Sequence, residues 1–494
     1  MMSEKLKTNP MVLETITPIF IGSEKGDVLS PYSDFIVEGN SLLILDTTKI
    51  IEDLINISPD LIDRYTEGIK EKISNTRSNF DLKKFLTGHL GDLTPYVSRV
   101  SSITGRSDEK SVISRFITNA GNPFIPGTTI KGAVRTAIIY HWLTENSEGK
   151  AQMNHMISFI KSKLGTNYAR KDLSGMDIET KLFGSLSDKE NGMDSRHFHF
   201  SDTTVIPAQY LEIRHVSRKK VFDLTQVSPQ WSELLPANIK TGFSFSIESG
   251  IRNHFLAGFS NDPSGTLLKC INAFSKASIE YEINRLSKSP DLKGKTVKFY
   301  ENLLEQLNQS QQKGFLRLGR FKTYFDNSIG LAIRQIDAEL FEQFRKAMEL
   351  GKNPITKKVV ESGFPTTRSF TESDLHPLGW VKIYPGIAGE LPVPKTEMPV
   401  ITVMTPPQGT KSGQSAAPTN RPSPSQGQVK AVITDSTSKP PRVKILEGPF
   451  LNAETILSGV NLNGLGLTAG HEVLVVLDVI KGKTLQKATY KGKV

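Results

Sequence analysis

Apolar and polar positions alternate with period two over MVLETITPIFIG (11–22), which predicts an opening strand ending at Gly22-Ser23. DFIVEGNSLLILD (34–46) repeats the alternation on both sides of Gly39-Asn40 and predicts a hairpin. Helical spacing takes over at 47–57, 59–73, 130–143, 151–163, 265–286 and 296–309. Strand patterns return at 196–201, 210–215, 242–248 and 315–318. Strands and helices mixed along the whole stretch predict an α+β fold. Beyond it, 429–433, 442–446, 472–480 and 487–492 read as short strands broken by Gly and Pro, predicting a small C-terminal β module of OB-like type.

Composition sharpens the boundaries. No Phe, Tyr or Trp occurs from Pro385 to Pro449, and GTKSGQSAAPTNRPSPSQGQ (409–428) carries too little apolar surface to order itself, so 386–428 is expected to be a flexible linker. A single cysteine, Cys270, excludes internal disulfides and CxxC sites. The polar first ten residues lack a signal-peptide core, and no uninterrupted apolar run is long enough to span a bilayer, so a cytoplasmic protein without a membrane is expected. The 494 residues carry 61 Lys and Arg against 51 Asp and Glu, a net +10. Residues 401–494 hold 11 of those cations and 5 of the acids, so most of the excess lies in the tail.

Chemistry in the first 400 residues must therefore come from local arrangement. In NPFIPGTTIKGAVRTAIIYHWL (122–143), Thr128 or Thr129 is placed to cap a helix that starts near Ile130. Lys131 and Arg135 then share a face of its first two turns, where they repel one another and oppose the helix dipole. Either an anion such as phosphate binds beside them, or both are solvated. His197 and His199 alternate with Phe198 and Phe200 on one strand, a metal-binding face or a plain polar one. Arg214, Arg218, Lys219 and Lys220 form one basic segment; Arg317, Arg320 and Lys322 among Phe315, Phe321, Tyr324 and Phe325 form another. Cations interleaved with aromatics suit phosphates and bases, or a solvated face over a core. Walker A, HExxH and GxSxG motifs are absent, and no catalytic residue, metal site or cofactor is expected.

Taken in order, FIPGTTIKGAVRTA (124–137), LFGS (182–185) and FSDTTV (200–205) resemble the pattern of the CRISPR-associated RAMP superfamily. TITPIFIGS (15–23) resembles the opening strand of those proteins and its Gly-containing exit. LRLGRFKTYFDNSIG (316–330), FPTTRSF (364–370) and PLGWVKI (377–383) are similar to the subunit that caps the guide-RNA 3′ end of type III-A (Csm) effectors. The resemblance runs from about Val12 to Ile383. It implies two ferredoxin-like, RNA-recognition-type halves with insertions, over 1–205 and 206–385, followed by the linker 386–428 and the basic β module 429–494. It also implies a non-catalytic subunit that holds guide CRISPR RNA, contacts backbone RAMP subunits and the small helical subunit, and meets target RNA indirectly.

Carried over by position, the RNA-binding residues would be Gly22, Ser23, Gly127, Thr128, Thr129, Lys131 and Arg135, with Arg317, Arg320, Lys322 and Arg368 in the second half. LRLGRFKTY holds only Gly319 where RAMP proteins carry a richer Gly loop, which leaves side chains to make that contact. The alternative from another class is a metal-independent endoribonuclease acting on repeat RNA, with His197, His199 and His215 as candidate acid–base groups.

Overall fold

The computed structural model describes residues 8–394 except 24–25, 76, 105–110, 186–192, 354–355 and 373, and then 428–435, 441–446, 454–458, 468–480 and 484–493. The chain divides into two compact units, 1–405 and 406–494.

The first unit is built on a five-stranded antiparallel sheet. Its strands lie in the order Gly314–Arg317, Trp380–Pro385, Thr8–Thr15, Lys240–Ile247, Phe198–Phe200. Helix Gly127–Glu145 follows the first strand in the chain, and helix Pro263–Leu286 follows strand Lys240–Ile247. Setting aside Gly314–Arg317, the succession is βαββαβ with spatial order four-one-three-two, the ferredoxin-like arrangement. Gly314–Arg317 extends it at one edge. The sheet thus takes strands from both sides of residue 205. The two helices pack on one another and bury Ile130, Val134, Ala137, Leu267, Cys270 and Ile271 in the main core.

Between the first strand and its helix lies a long insertion. The hairpin Phe35–Glu38 and Ser41–Leu45 turns at Gly39-Asn40, as the alternation predicts, and joins a second sheet with Val97–Thr104, Glu212–Lys220, Gln226–Leu234 and Thr367–Thr371. Helices Thr47–Ile57, Asp60–Ser74 and Leu82–Leu90 close a separate core around Leu43, Leu54, Leu61 and Leu86. The second unit is a closed five-stranded β-barrel. The sequence-predicted linker lies, over 395–427, outside the described residues.

Candidate nucleic-acid interface

Strand direction decides which loops can meet. The first strand points its C-terminal end toward Ile16–Ser23, and the helix that returns antiparallel to it opens at that same end. Gly314–Arg317 pairs antiparallel with Trp380–Pro385, which pairs antiparallel with the first strand, so Gly314–Arg317 runs parallel to the first strand. Its exit, Leu318–Lys322, therefore reaches the same end of the sheet. Three segments far apart in sequence therefore lie at that end: 18–23, 127–135 and 318–322.

Phe20 ties the first to the third. Its carbonyl accepts the Arg320 N–H at 3.0 Å, and its ring lies 5.5 Å from that of Phe321 and 6.4 Å, edge-on, from Phe116. Gly319 makes the approach possible: its φ is +83°, and a Cβ there would fall 2.3 Å from the Phe20 carbonyl oxygen. The glycine's close contact is thus with the protein's own first loop. Gly22 and Ser23 follow directly, both exposed, with Gly22 bridged to Phe116 and the Ser23 hydroxyl donating to Asp27.

The motif helix begins at Gly127, three residues before the predicted start, and neither Thr128 nor Thr129 caps it. The Gly127 N–H instead donates to the Asp202 carboxylate at 2.8 Å. A Cβ on Gly127 would meet the Phe200 carbonyl oxygen at 2.1 Å. The Ile125 N–H donates to the Thr203 hydroxyl at 2.9 Å, and the Thr203 N–H returns to the Ile125 carbonyl at 3.0 Å. FIPGTT and FSDTTV are therefore one physical unit, with strand Phe198–Phe200 docked against the opening of the helix. Thr128 is exposed and Thr129 half-buried beside it.

The two cations of the first turns differ. Arg135 forms an ion pair with Glu179 and lies 5.9 Å from the centre of the Phe183 ring. The expected local repulsion is thus relieved inside the chain for Arg135. Lys131 is half-buried and has no ion-pair partner among the described residues. Burial first, and then the Arg135 charge, hold its ammonium below its ordinary value. A nearby anion would favour its charged form. Arg320 is exposed, and Lys322 is half-buried, with its ammonium likewise lowered chiefly by burial.

Arg317 and Arg368 are corrections to the sequence expectation. Each is 3% exposed. Arg317 donates to Asp326 at 2.9 Å, to the Leu378 carbonyl at 2.9 Å and to the Phe321 carbonyl at 3.3 Å. Arg368 grips both oxygens of Glu282 at 2.8 Å and donates to the Pro365 carbonyl at 2.9 Å. Both guanidinium groups are thus enclosed and engaged by the chain itself, tying strands Gly314–Arg317 and Thr367–Thr371 to the segments around Asp326 and Glu282. Arg317 also braces the Gly319–Lys322 loop from beneath, since the Thr323 N–H donates to the same Asp326 at 2.8 Å.

The three histidines do not share one site. His197 sits in a short 3₁₀ turn and His199 on the strand, and both approach Glu248, at 3.6 and 3.2 Å. His215 lies in the other sheet against Glu372 at 2.5 Å. No cluster of three His, Cys, Asp or Glu able to hold a metal ion occurs among the described residues. Of the other basic segment, Arg214 pairs with Glu212 at 2.6 Å and Arg218 donates to the Thr367 hydroxyl at 2.9 Å. Sequence reasoning missed Phe20, Asp202 and Glu179. Asp202 was visible inside FSDTTV, but its partner lies 75 residues away.

A sheet in ferredoxin-like strand order, with its Gly-opened helix bonded to the FSDTTV segment and its first exit loop bonded to the Gly319 loop, defines an α+β protein of a recognisable superfamily. The RAMP superfamily model matches residues 12–325, well over half of the chain, and the chain belongs to that superfamily. It is 27% identical over 388 residues to the CRISPR-system protein Csm5 of Methanocaldococcus jannaschii, covering 75% of this chain and 87% of that protein. Its fold matches a chain in the cryo-EM structure of a type III-A Csm–crRNA–target RNA ternary complex, with a TM-score of 0.54 and 20% identity over 76% of this chain and 100% of that one. It also matches the crystal structure of T. onnurineus Csm5, with a TM-score of 0.51 and 20% identity over 75% and 99% of the two chains. No helix among the described residues is long and apolar enough to cross a membrane.

Proposed function

We propose that this chain is the non-catalytic subunit that holds the 3′ portion of a guide CRISPR RNA at the end of a cytoplasmic type III-A effector, beside backbone RAMP subunits and the small helical subunit. Target RNA would be met through the guide. The observation that carries this reading is that the first exit loop, the start of the motif helix and the Gly319 loop all lie at one end of the sheet. Lys131, Arg320 and Lys322 stand there as cations, with Gly22, Ser23, Thr128 and Thr129 as neighbouring polar and backbone groups. Arg135 would stabilise the helix face through Glu179 and reach RNA only on exchanging that partner. Phosphate contacts of this kind position a strand without reading its bases.

The test is guide binding by the Lys131→Ala/Arg320→Ala protein. Loss of two phosphate contacts to single-stranded RNA lowers the slope of log K against log salt by about 1.4. Affinity at low salt should fall roughly tenfold or more, and a photo-crosslinker in the last guide nucleotides should lose its product. Unchanged affinity and slope would sink the assignment. The endoribonuclease alternative is less favoured, because its three candidate histidines do not share one site: His215 lies in one sheet and the His197–His199–Glu248 group at the other.

A further inference from the structure

The C-terminal unit has a topology that its sequence only hinted at. Its strands are Gln428–Asp435, Arg442–Ile445, Glu454–Ser458, Glu472–Ile480 and Thr484–Lys493. Around the barrel they run first, second, third, fifth, fourth, and the fourth closes on the first. The third and fifth pair in parallel, and every other pair is antiparallel. This five-stranded Greek-key connectivity is that of an OB-fold, whose second and third strands form its ligand-facing surface.

Side-chain alternation sorts that surface cleanly. Ala431, Ile433, Val443, Ile445, Leu457, Val473, Val475 and Ala488 are at most 1% exposed and fill the barrel. Arg442 and Lys444 project outward from the second strand, and Ile456 and Glu454 from the third. In the register, Arg442 stands opposite Ile456, and Lys444 opposite Glu454. Ile456 is 38% exposed, an apolar side chain with a guanidinium directly across from it. Over 429–494 the sequence carries nine Lys and Arg against five Asp and Glu. The only aromatic residues in that stretch are Phe450, outside the described residues, and Tyr490 on the fifth strand. Two cations and an exposed aliphatic, with Glu454 the one acid among these four side chains and no ring among them, suit a phosphate backbone bound weakly and without base preference.

We propose that the second and third strands of this barrel, through Arg442, Lys444 and Ile456, form a second site for single-stranded nucleic acid. The site goes beyond the guide-holding end of the first unit and is independent of it. Binding there is electrostatic and length-dependent, and it favours single strands over a duplex.

The experiment uses the full chain carrying Lys131→Ala/Arg320→Ala, so that the first site is weakened in every arm. Fluorescence anisotropy with a U12 RNA, a dT12 DNA and a 12-base-pair RNA duplex is recorded across a salt series. Adding Arg442→Ala/Lys444→Ala should weaken U12 binding about five- to tenfold and lower the salt slope by about 1.4. Glu454→Lys should tighten binding several-fold, a gain that misfolding cannot produce. A U12 preference over dT12 points to a guide or target RNA as the natural strand, and equal binding to any single strand. Affinity and slope unchanged in both barrel variants, or duplex bound as tightly as U12, would overturn the proposal. So would barrel variants that lose co-purifying subunits while keeping oligonucleotide affinity, because the face would then be a protein contact. If only the Lys131→Ala/Arg320→Ala change proves silent toward guide RNA, the first reading fails and the barrel site stands.

Discussion

Two residues far apart in sequence, Gly127 and Asp202, set where the motif helix begins. Asp202 satisfies the leading N–H from another segment and places a carboxylate at the positive end of the dipole, close to where a phosphate would bind. Asp202→Asn keeps the acceptor and removes the charge. Guide affinity should therefore rise two- to threefold with little change in thermal stability, which anisotropy and a melt together would check. Asp202→Ala removes the acceptor as well and should cost about 1 kcal/mol, the usual worth of an N-cap. Asp326 is a different kind of acid. Burial by itself pushes its carboxyl up, but Arg317 and the hydrogen bonds from Ser278 and Thr323 outweigh that and hold it below its ordinary 3.8. A carboxyl lowered by folding contributes stability that is present above its unfolded value and lost as pH falls through the folded one. Stability should thus decline below about pH 4, and less steeply in Asp326→Asn. At neutral pH that variant leaves Arg317 buried without a counter-charge and should be destabilised by about 3–5 kcal/mol in urea unfolding.

At the scale of elements, the sequence was most legible where one face is apolar and the other wet. Helices at 47–57, 151–163 and 265–286 were read nearly to their ends, because their core faces repeat at helical spacing. The strand Gln226–Leu234 was missed: its first half is exposed and contains Pro229, and only Trp231–Leu234 is buried, so no period-two pattern emerges. The opening strand was read to Gly22 but ends at Thr15, since Ile16–Ile21 leave the ladder to bond with segments near 117, 235, 320 and 379. The candidate site was half legible. Lys131 stood out through spacing alone, whereas the internal partners of Arg135, Arg317 and Arg368 come from non-adjacent segments and leave no local trace. Such pairing can be probed directly. Glu179→Gln frees the Arg135 guanidinium at the motif-helix face, and guide binding should tighten with a steeper salt slope if Arg135 can then reach RNA. An unchanged slope would confine Arg135 to a structural role.

For the whole molecule, net charge proved a poor guide and strand connectivity a good one. Cys270 offers a reporter of the first unit's integrity: it is fully buried in the main core, and burial pushes its thiol up to about 12. Alkylation by iodoacetamide at pH 8 should proceed only as fast as that core opens, and labelling of the native chain within minutes would contradict the packing. The central sheet also sets a schedule for synthesis. Its first strand is the first element made, yet its two neighbours are residues 240–247 and 380–385, and the Thr17 hydroxyl waits for an N–H 363 residues further on. At about 5–20 residues per second, a ribosome takes roughly 20 to 70 s to deliver that partner. Until residues 240–247 emerge both edges of this apolar strand are open, and one edge stays open for the rest of that interval, the condition under which chains mispair or recruit chaperones. Release before residue 380 should therefore yield insoluble product, and a sedimentation assay of nascent chains stalled at 370 and at 400 would reveal the change.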